Sequence, residues 1–366
     1  MKPIINNDIT LSQYVFLIHG AQIGISVVTT PHRLAMLSGT DGWISILIGW
    51  VIATMSSLII IKVMDKNANK TIIGILKHYF GKWISKFFII VLAFYMALLA
   101  FFEMHRMALH IKSWVLQQTS VYSLVFLFSI SSYSIICGGV KNIGRYAELI
   151  FFMSIWLIVI FFIPLEARQW VNLFPLFKGG IHSILTSVKT SLFSFLGFEL
   201  ALFLYPYLQN KKKATLGILI ANTCSAFLYL YITITCFLFF SPDELTHYYE
   251  PTLAMLRVIE FKFAERFDLI LLSFYILIVS KVWMINIFFT VISIKQIFNK
   301  RNYNTLLLGL LALFVFISYI TNLSFGDSEK ILNFLELVGL IIAYIFPLSL
   351  LLYMIMFDFA HKRVKK

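Results

Sequence analysis

Charge is scarce in this chain. Only 13% of its 366 residues are charged, and 17 Asp and Glu stand against 30 Lys and Arg. A soluble domain carries roughly 25% charged residues, so too few remain to cover a water-facing surface. Cysteine is scarce too. Cys137, Cys224 and Cys236 lie in or at the ends of apolar stretches and read as free buried thiols. No disulfide or zinc spacing joins them, and His105 and His110, five apart, do not share a helix face. A metal site is not expected. No nucleophile–base pair sits in a supporting motif. The run Gly139 to Gly144 lacks the Lys-Ser/Thr and the preceding strand of a phosphate loop. Enzymatic activity and cofactors are not expected. The first residues hold one Lys and no cleavage site after a compact apolar run, so a removable signal peptide is not expected.

What the chain has instead is apolar length. Hydrophobic residues make up 60% and aromatic residues 17%. About 20 apolar residues cross a bilayer, and ten such runs can be read: 9–31, 43–63, 84–102, 121–140, 146–165, 181–207, 214–240, 267–294, 305–325 and 331–357. The seventh holds no charge at all. The connections are short except 62–86 and 241–266, each with the apolar content of a short amphipathic helix (Gly74 to Leu76; Ala254 to Val258). Trp43, Trp83, Trp114 and Trp170 lie near run ends, as interfacial anchors do. The sequence reads as one transmembrane domain over 1–366.

The placement of the basic residues sets the topology. With ten spans both termini share a side, and that side collects 19 Lys and Arg against 9 opposite and 2 within spans, Lys189 and Lys281. The positive-inside rule puts both termini in the cytoplasm. The net charge of +13 is then a topology signal. A nucleic-acid partner would need a soluble basic surface or a recognition helix, and neither is present.

Two of the runs are interrupted in matching ways. The first crowds Gly20, Gln22, Gly24 and Ser26 at its middle, and the sixth carries Ser194-Phe195-Leu196-Gly197-Phe198-Glu199. Each glycine is followed by a proline, Pro31 or Pro206. Glycine-broken spans at corresponding places in two halves point to the substrate site of an inverted-repeat transporter fold. Loose backbone polar groups are tolerated in a membrane only where they line a cavity or meet a partner. Five spans per half is odd, so repeats of about 9–165 and 181–357 would enter from opposite faces.

The opening Ile9-Thr10-Leu11-Ser12-Gln13, then Gly24, Pro31-His32-Arg33-Leu34-Ala35 and Gly39-Thr40-Asp41-Gly42-Trp43-Ile44-Ser45 resembles the start of the endospore germination permeases, the B subunits of Ger-type nutrient germinant receptors. Gly139 to Glu148 is similar to that family's Gly…Ile-Ala-Arg-x-x-Glu stretch, with Gly144 in place of the usual Ala. Asn172-Leu173-Phe174-Pro175-Leu176 and Gly197-Phe198-Glu199 followed by Pro206 also match. The resemblance implies the fold of the amino acid–polyamine–organocation superfamily: all-α, ten transmembrane helices in a leucine-transporter-like five-plus-five inverted repeat with helices 1 and 6 broken. It also implies nutrient sensing in the spore inner membrane beside A-type and C-type receptor subunits.

In such a fold, unwinding at Gly24 frees the N–H groups of Ile25, Ser26 and Val27 at a half-helix N-terminus. That site suits a carboxylate, with the Ser26 hydroxyl and Gln22 close by. Carbonyls exposed around Gly197 suit an ammonium, Phe195 or Phe198 closing over a side chain and Tyr95 of span 3 walling the pocket. Glu199 and Lys281, the latter beside Ser280, are deep charges and functional candidates. Lys281 is expected to occupy a cation place near span 1, to pair with Glu199, or to snorkel. Lys189 is expected to line the outer vestibule. Arg33 and Asp41 are read either as a clamp at the outer end of span 1 or as solvated side chains. The expectation is a sensor of a small nutrient, an amino acid by size. A proton-coupled amino-acid transporter and a ligand-gated water or ion conduit are the alternatives.

Overall fold

The computed structural model describes residues 8–165, 167–174, 177–259, 267–298 and 302–364. The chain folds into α1 (Leu11–Gln22), α2 (Ser26–Ser38), α3 (Gly42–Asp65), α4 (Ile72–Trp114), α5 (Val121–Ile136), α6 (Val140–Ser154), α7 (Trp156–Ile160), α8 (Gly180–Ser194), α9 (Ala201–Leu204), α10 (Ala214–Phe239), α11 (Pro242–His247), α12 (Pro251–Arg257), α13 (Phe267–Phe298), α14 (Tyr303–Ile320), α15 (Phe325–Leu340) and α16 (Phe346–Val364). Extended pairing among the described residues is limited to one parallel bridge, Ile9 with Leu208.

Every expected span is met by helix. Seven described stretches are long and apolar enough to cross a membrane, and α8 with Phe198–Tyr207, bent by 44°, makes an eighth. The full ten are not reached on length, because α1 has 12 residues and α5 has 16, while α2 and α3 run on as one stretch. The limits also shift. Span 3 was expected to end at 102, yet α4 continues to Trp114, carrying Glu103, Arg106 and His110. These residues are buried by neighbouring helices, so the helix needs no water to accommodate them. The expected 62–86 connection is mostly helix as well, being the first turns of α4 up to a kink at Gly81 (φ 76°).

Prolines shape two spans in the same way. Pro347 has no N–H for the carbonyl of Ala343, the helix widens to a π-turn over Ile341–Ile345, and Ser56 Oγ donates to that carbonyl at 2.7 Å. Pro31 leaves the Val27 carbonyl without its helical donor, and Thr252 Oγ1 of α12 lies 3.5 Å from it. Ile9 and Asp358, towards opposite ends of the described chain, lie on one face. Lys66 pairs with Asp358 at 2.6 Å, Tyr205 donates to Asp65 at 2.8 Å, and Ile9 N–H donates to the Tyr207 carbonyl at 2.9 Å.

Candidate functional site

The two broken spans cross at their breaks. α1 ends at Gln22 and α2 starts at Ser26. α8 ends at Ser194 and the chain resumes as a short 3-10 turn at Phe198. Gly197 has φ 123°, and a Cβ there would lie 2.7 Å from the Ala21 carbonyl carbon and 2.8 Å from Gln22 N. A side chain is excluded by both backbone conformation and space.

Between the breaks lies a cavity of about 70 Å³. Its walls include Gln22, Gly24, Ile25 and Ser26 from span 1, and Gly197 and Glu199 from span 6. Tyr95, Leu99, Glu103 and Arg106 form one stripe of α4, spaced four, four and three residues apart, as one helix face requires. α13 adds Val282 and Asn286, and α15 adds Leu332, Leu335 and Glu336. Spans 3, 8 and 10 thus wall the cavity.

Much of the loose polarity at the breaks is already engaged. Ile25 N–H donates to Glu103 Oε2 at 3.3 Å, and Val27 N–H turns back to the Gly24 carbonyl at 3.3 Å. Two of the three donors expected to be free are therefore occupied, one by a carboxylate from α4 and one by the carbonyl of Gly24 itself. The Phe195 carbonyl, expected to face an ammonium, accepts from Gln22 Nε2 at 3.0 Å. Gln22 Nε2 also donates to Asn222 Oδ1 at 2.9 Å, and Gln22 Oε1 accepts from Ser225 Oγ at 2.6 Å. Tyr229 bridges the span 1 break, donating to the Gln22 carbonyl at 2.8 Å with its hydroxyl 2.7 Å from Ser26 Oγ. Glu199 accepts the Gly197 N–H at 2.6 Å.

Other expected residues lie apart from this cavity. Phe195 and Phe198 are fully buried outside its lining, Phe198 packing edge-on against Tyr344. Val27 and Lys281 line a second, mostly apolar cavity of about 480 Å³ together with His19, Tyr231 and Tyr275. Lys281 lies along α1, where a Cβ at Gly20 would be 3.1 Å from its Cδ. Among the described residues it forms no ion pair, so the lock with Glu199 is absent. Ser280 is tied to Tyr146 at 2.7 Å.

The far rim is built from charges that the sequence reading paired differently or passed over. Arg33 does not clamp Asp41. Its Nη1 donates to both oxygens of Glu336 at 2.8 and 2.9 Å, and Asp41 instead accepts the Phe177 N–H at 2.9 Å. Glu336 is 303 residues away and α15 carries it to the rim, whereas Asp41 sits in the turn behind. Arg106 lies 3.9 Å from Glu250 and over the rings of Tyr249 and Phe325. His110 Nε2 is 3.3 Å from the same Glu250 oxygen. Burial pushes the Glu250 carboxyl up to about 7, against the opposing pull of Arg106 and Arg257. A vestibule of about 370 Å³, lined by His32, Lys189 and Glu329 among others, shares Arg33, Phe193, Tyr249 and Glu336 with the small cavity. Glu103, Arg106 and His110 were legible as one face of a helix by their spacing of three and four.

A small cavity at the crossing of two interrupted helices defines a fold class, the leucine-transporter-like five-plus-five arrangement with helices 1 and 6 broken. The crystal structure of MhsT in complex with L-phenylalanine shares the fold, with a TM-score of 0.61 at 14% identity over 94% of this chain and 88% of that one. The spore germination protein family profile matches residues 8–326, and the chain belongs to that family. It is 28% identical to spore germination protein GerQB of Bacillus cereus over 75% of this chain and 76% of that relative. Spore germination protein YndE of Bacillus subtilis (strain 168) is 26% identical, over 81% and 82%. Spore germination protein A2 of the same strain is 24% identical, over 94% of both. The protein is thus an integral membrane member of a permease family and not an enzyme.

Proposed function

We propose that this chain is the B-type subunit of a spore germinant receptor, seated in the spore inner membrane with both termini cytoplasmic. A small nutrient enters from the vestibule and occupies the cavity between the breaks of spans 1 and 6. Occupancy favours one arrangement of the broken spans, and A-type and C-type subunits read the change. A ligand shifts such an equilibrium only by its differential affinity for the two states. Breaks that touch through backbone at Gly197 give a ligand leverage on both halves of the repeat, 9–165 and 181–357. The observation that carries this reading is a small cavity lined from both breaks at once. MhsT holds L-phenylalanine in a protein of the same fold. A volume of about 70 Å³ favours a smaller occupant here.

Proton-coupled transport is the second reading, favoured by Lys281. This buried lysine lies against span 1 without an ion-pair partner among the described residues. The test is ligand-induced thermal shift of the purified protein over a nutrient panel, repeated with Gly24→Val, alongside flux in proteoliposomes. A shift that Gly24→Val removes, without uptake, supports the sensor. Concentrative uptake lost in Lys281→Met supports the transporter, and ligand-gated leak supports a conduit. A shift unchanged in Gly24→Val moves the site elsewhere.

A further inference from the structure

We infer that the cavity recognises its ligand through an ammonium group and needs no ligand carboxylate, which makes its occupant a small primary amine; this rests on the binding reading above. The positive pole of a half-helix is the ordinary seat for a ligand carboxylate. Here Glu103 already sits in it, accepting the Ile25 N–H at 3.3 Å. A Cβ placed on Gly24 would lie 2.9 Å from Glu103 Oε1, so the carboxylate fills the space directly over the break. The break in span 6 also meets a carboxylate, its own, with Gly197 N–H donating to Glu199 Oε2 at 2.6 Å. A ligand carboxylate would meet two protein carboxylates where it needs donors.

What the two breaks place over the cavity instead is acceptors. Glu103 and Glu199 both line it, and among the described residues neither has an ion-pair partner within 4.0 Å. Of the two arginines of the lining, Arg33 is held by both oxygens of Glu336, and Arg106 stands at the rim 3.9 Å from Glu250 with its Nε unpartnered. The Tyr95 hydroxyl, on the same wall and buried, has no hydrogen-bond partner. Two carboxylates and one idle hydroxyl match the three donors of a primary ammonium. The Phe195 carbonyl is closed to the ligand by Gln22. The volume of about 70 Å³ admits a short amine and little more.

The experiment compares four compounds on the full-length purified protein in lipid nanodiscs: L-alaninamide, propylamine, L-alanine and propionate, by calorimetry and thermal shift. The amines are expected to bind, with L-alaninamide at least as tight as L-alanine and propionate without effect. Glu103→Gln, which keeps the shape and the acceptor oxygen, is expected to weaken the amines by about tenfold or more through loss of a charge-assisted contact. Glu103→Ala, which bares the Ile25 N–H, is expected to raise L-alanine affinity relative to L-alaninamide. The ligand-free melting temperature of each variant reports its folding independently. L-Alanine binding at least about tenfold more tightly than L-alaninamide, with Glu103→Gln neutral for both, would overturn the amine assignment and leave the sensing site intact. No response to the amines while another nutrient binds and loses affinity in Gly24→Val has the same meaning. No response to any compound, in this set or the wider panel, overturns both.

Discussion

The breaks in spans 1 and 6 look alike in the sequence and are held by different means. In span 6 the carboxylate that satisfies the loosened backbone comes from two residues away, Glu199 on Gly197, and the glycine is pressed against the backbone of α1. In span 1 the carboxylate comes from α4, 78 residues away, and a tyrosine from α10, 207 residues away, bridges the gap through the Gln22 carbonyl. A break closed by its own next turn is a fixed part of the scaffold. A break closed by side chains of other helices can exchange one partner for another without unfolding its own span. The difference marks span 1 as the half of the site that a ligand can rearrange.

The sharpest way to break this comparison is to put a side chain on each glycine. Gly197→Val combines a positive φ with contact against backbone atoms that cannot turn aside, and should cost about 4 kcal/mol or more. Gly24→Val meets the Glu103 side chain first and should cost about 1–3 kcal/mol. Thermal unfolding in nanodiscs reads both, and equal losses would remove the distinction. Gln22→Leu comes next. Gln22 joins the two breaks through Phe195, Asn222 and Ser225, and removing it leaves buried groups unsatisfied at a cost of about 3 kcal/mol. A loss below about 1 kcal/mol would mean that the breaks are coupled through backbone packing alone.

The rim over the span 1 break should also give the protein a pH signature. Glu250 faces Arg106 and His110 of α4, Arg257 of α12 and Glu329 of α15, and its carboxyl is raised from 4.5 to about 7. Below pH 4.5 the group is protonated whether the chain is folded or not. Between 4.5 and 7 the folded state keeps a proton that the unfolded state releases, so this group's contribution to stability falls as pH rises. The wild type should therefore lose about 2 kcal/mol more than Glu250→Gln across that window. Parallel melting curves against pH would exclude Glu250 as the source. The smallest expected effect is that of Tyr229→Phe, about 1 kcal/mol of stability from the lost bridge to Gln22 and Ser26. A change in ligand affinity without that loss would place the hydroxyl on the ligand instead.

Much of the architecture was legible along the chain. Apolar length marked the spans, and Gly24 and Gly197 marked the breaks. The site was legible only in part. Gln22, Gly24, Ile25, Ser26, Tyr95, Gly197 and Glu199 converge on one cavity, while Val27, Phe195, Phe198, Ser280 and Lys281 lie outside it. For the phenylalanines the reason is abundance, since 37 of them make any single one uninformative. Glu103 and Arg106 were passed over because charges after an apolar run read as the end of a span. In fact α4 continues, sheltered by its neighbours.

The sequence by itself determined that this protein lives in a membrane and that two of its spans are interrupted. Those facts follow from hydrophobic length and from glycine, properties that each segment carries alone. Which groups meet at the interruptions was decided only in three dimensions. The pairs Ile25 with Glu103, Gln22 with Tyr229 and Arg33 with Glu336 join helices far apart in the chain. Their geometry exists only once the bundle has packed and excluded water from between them.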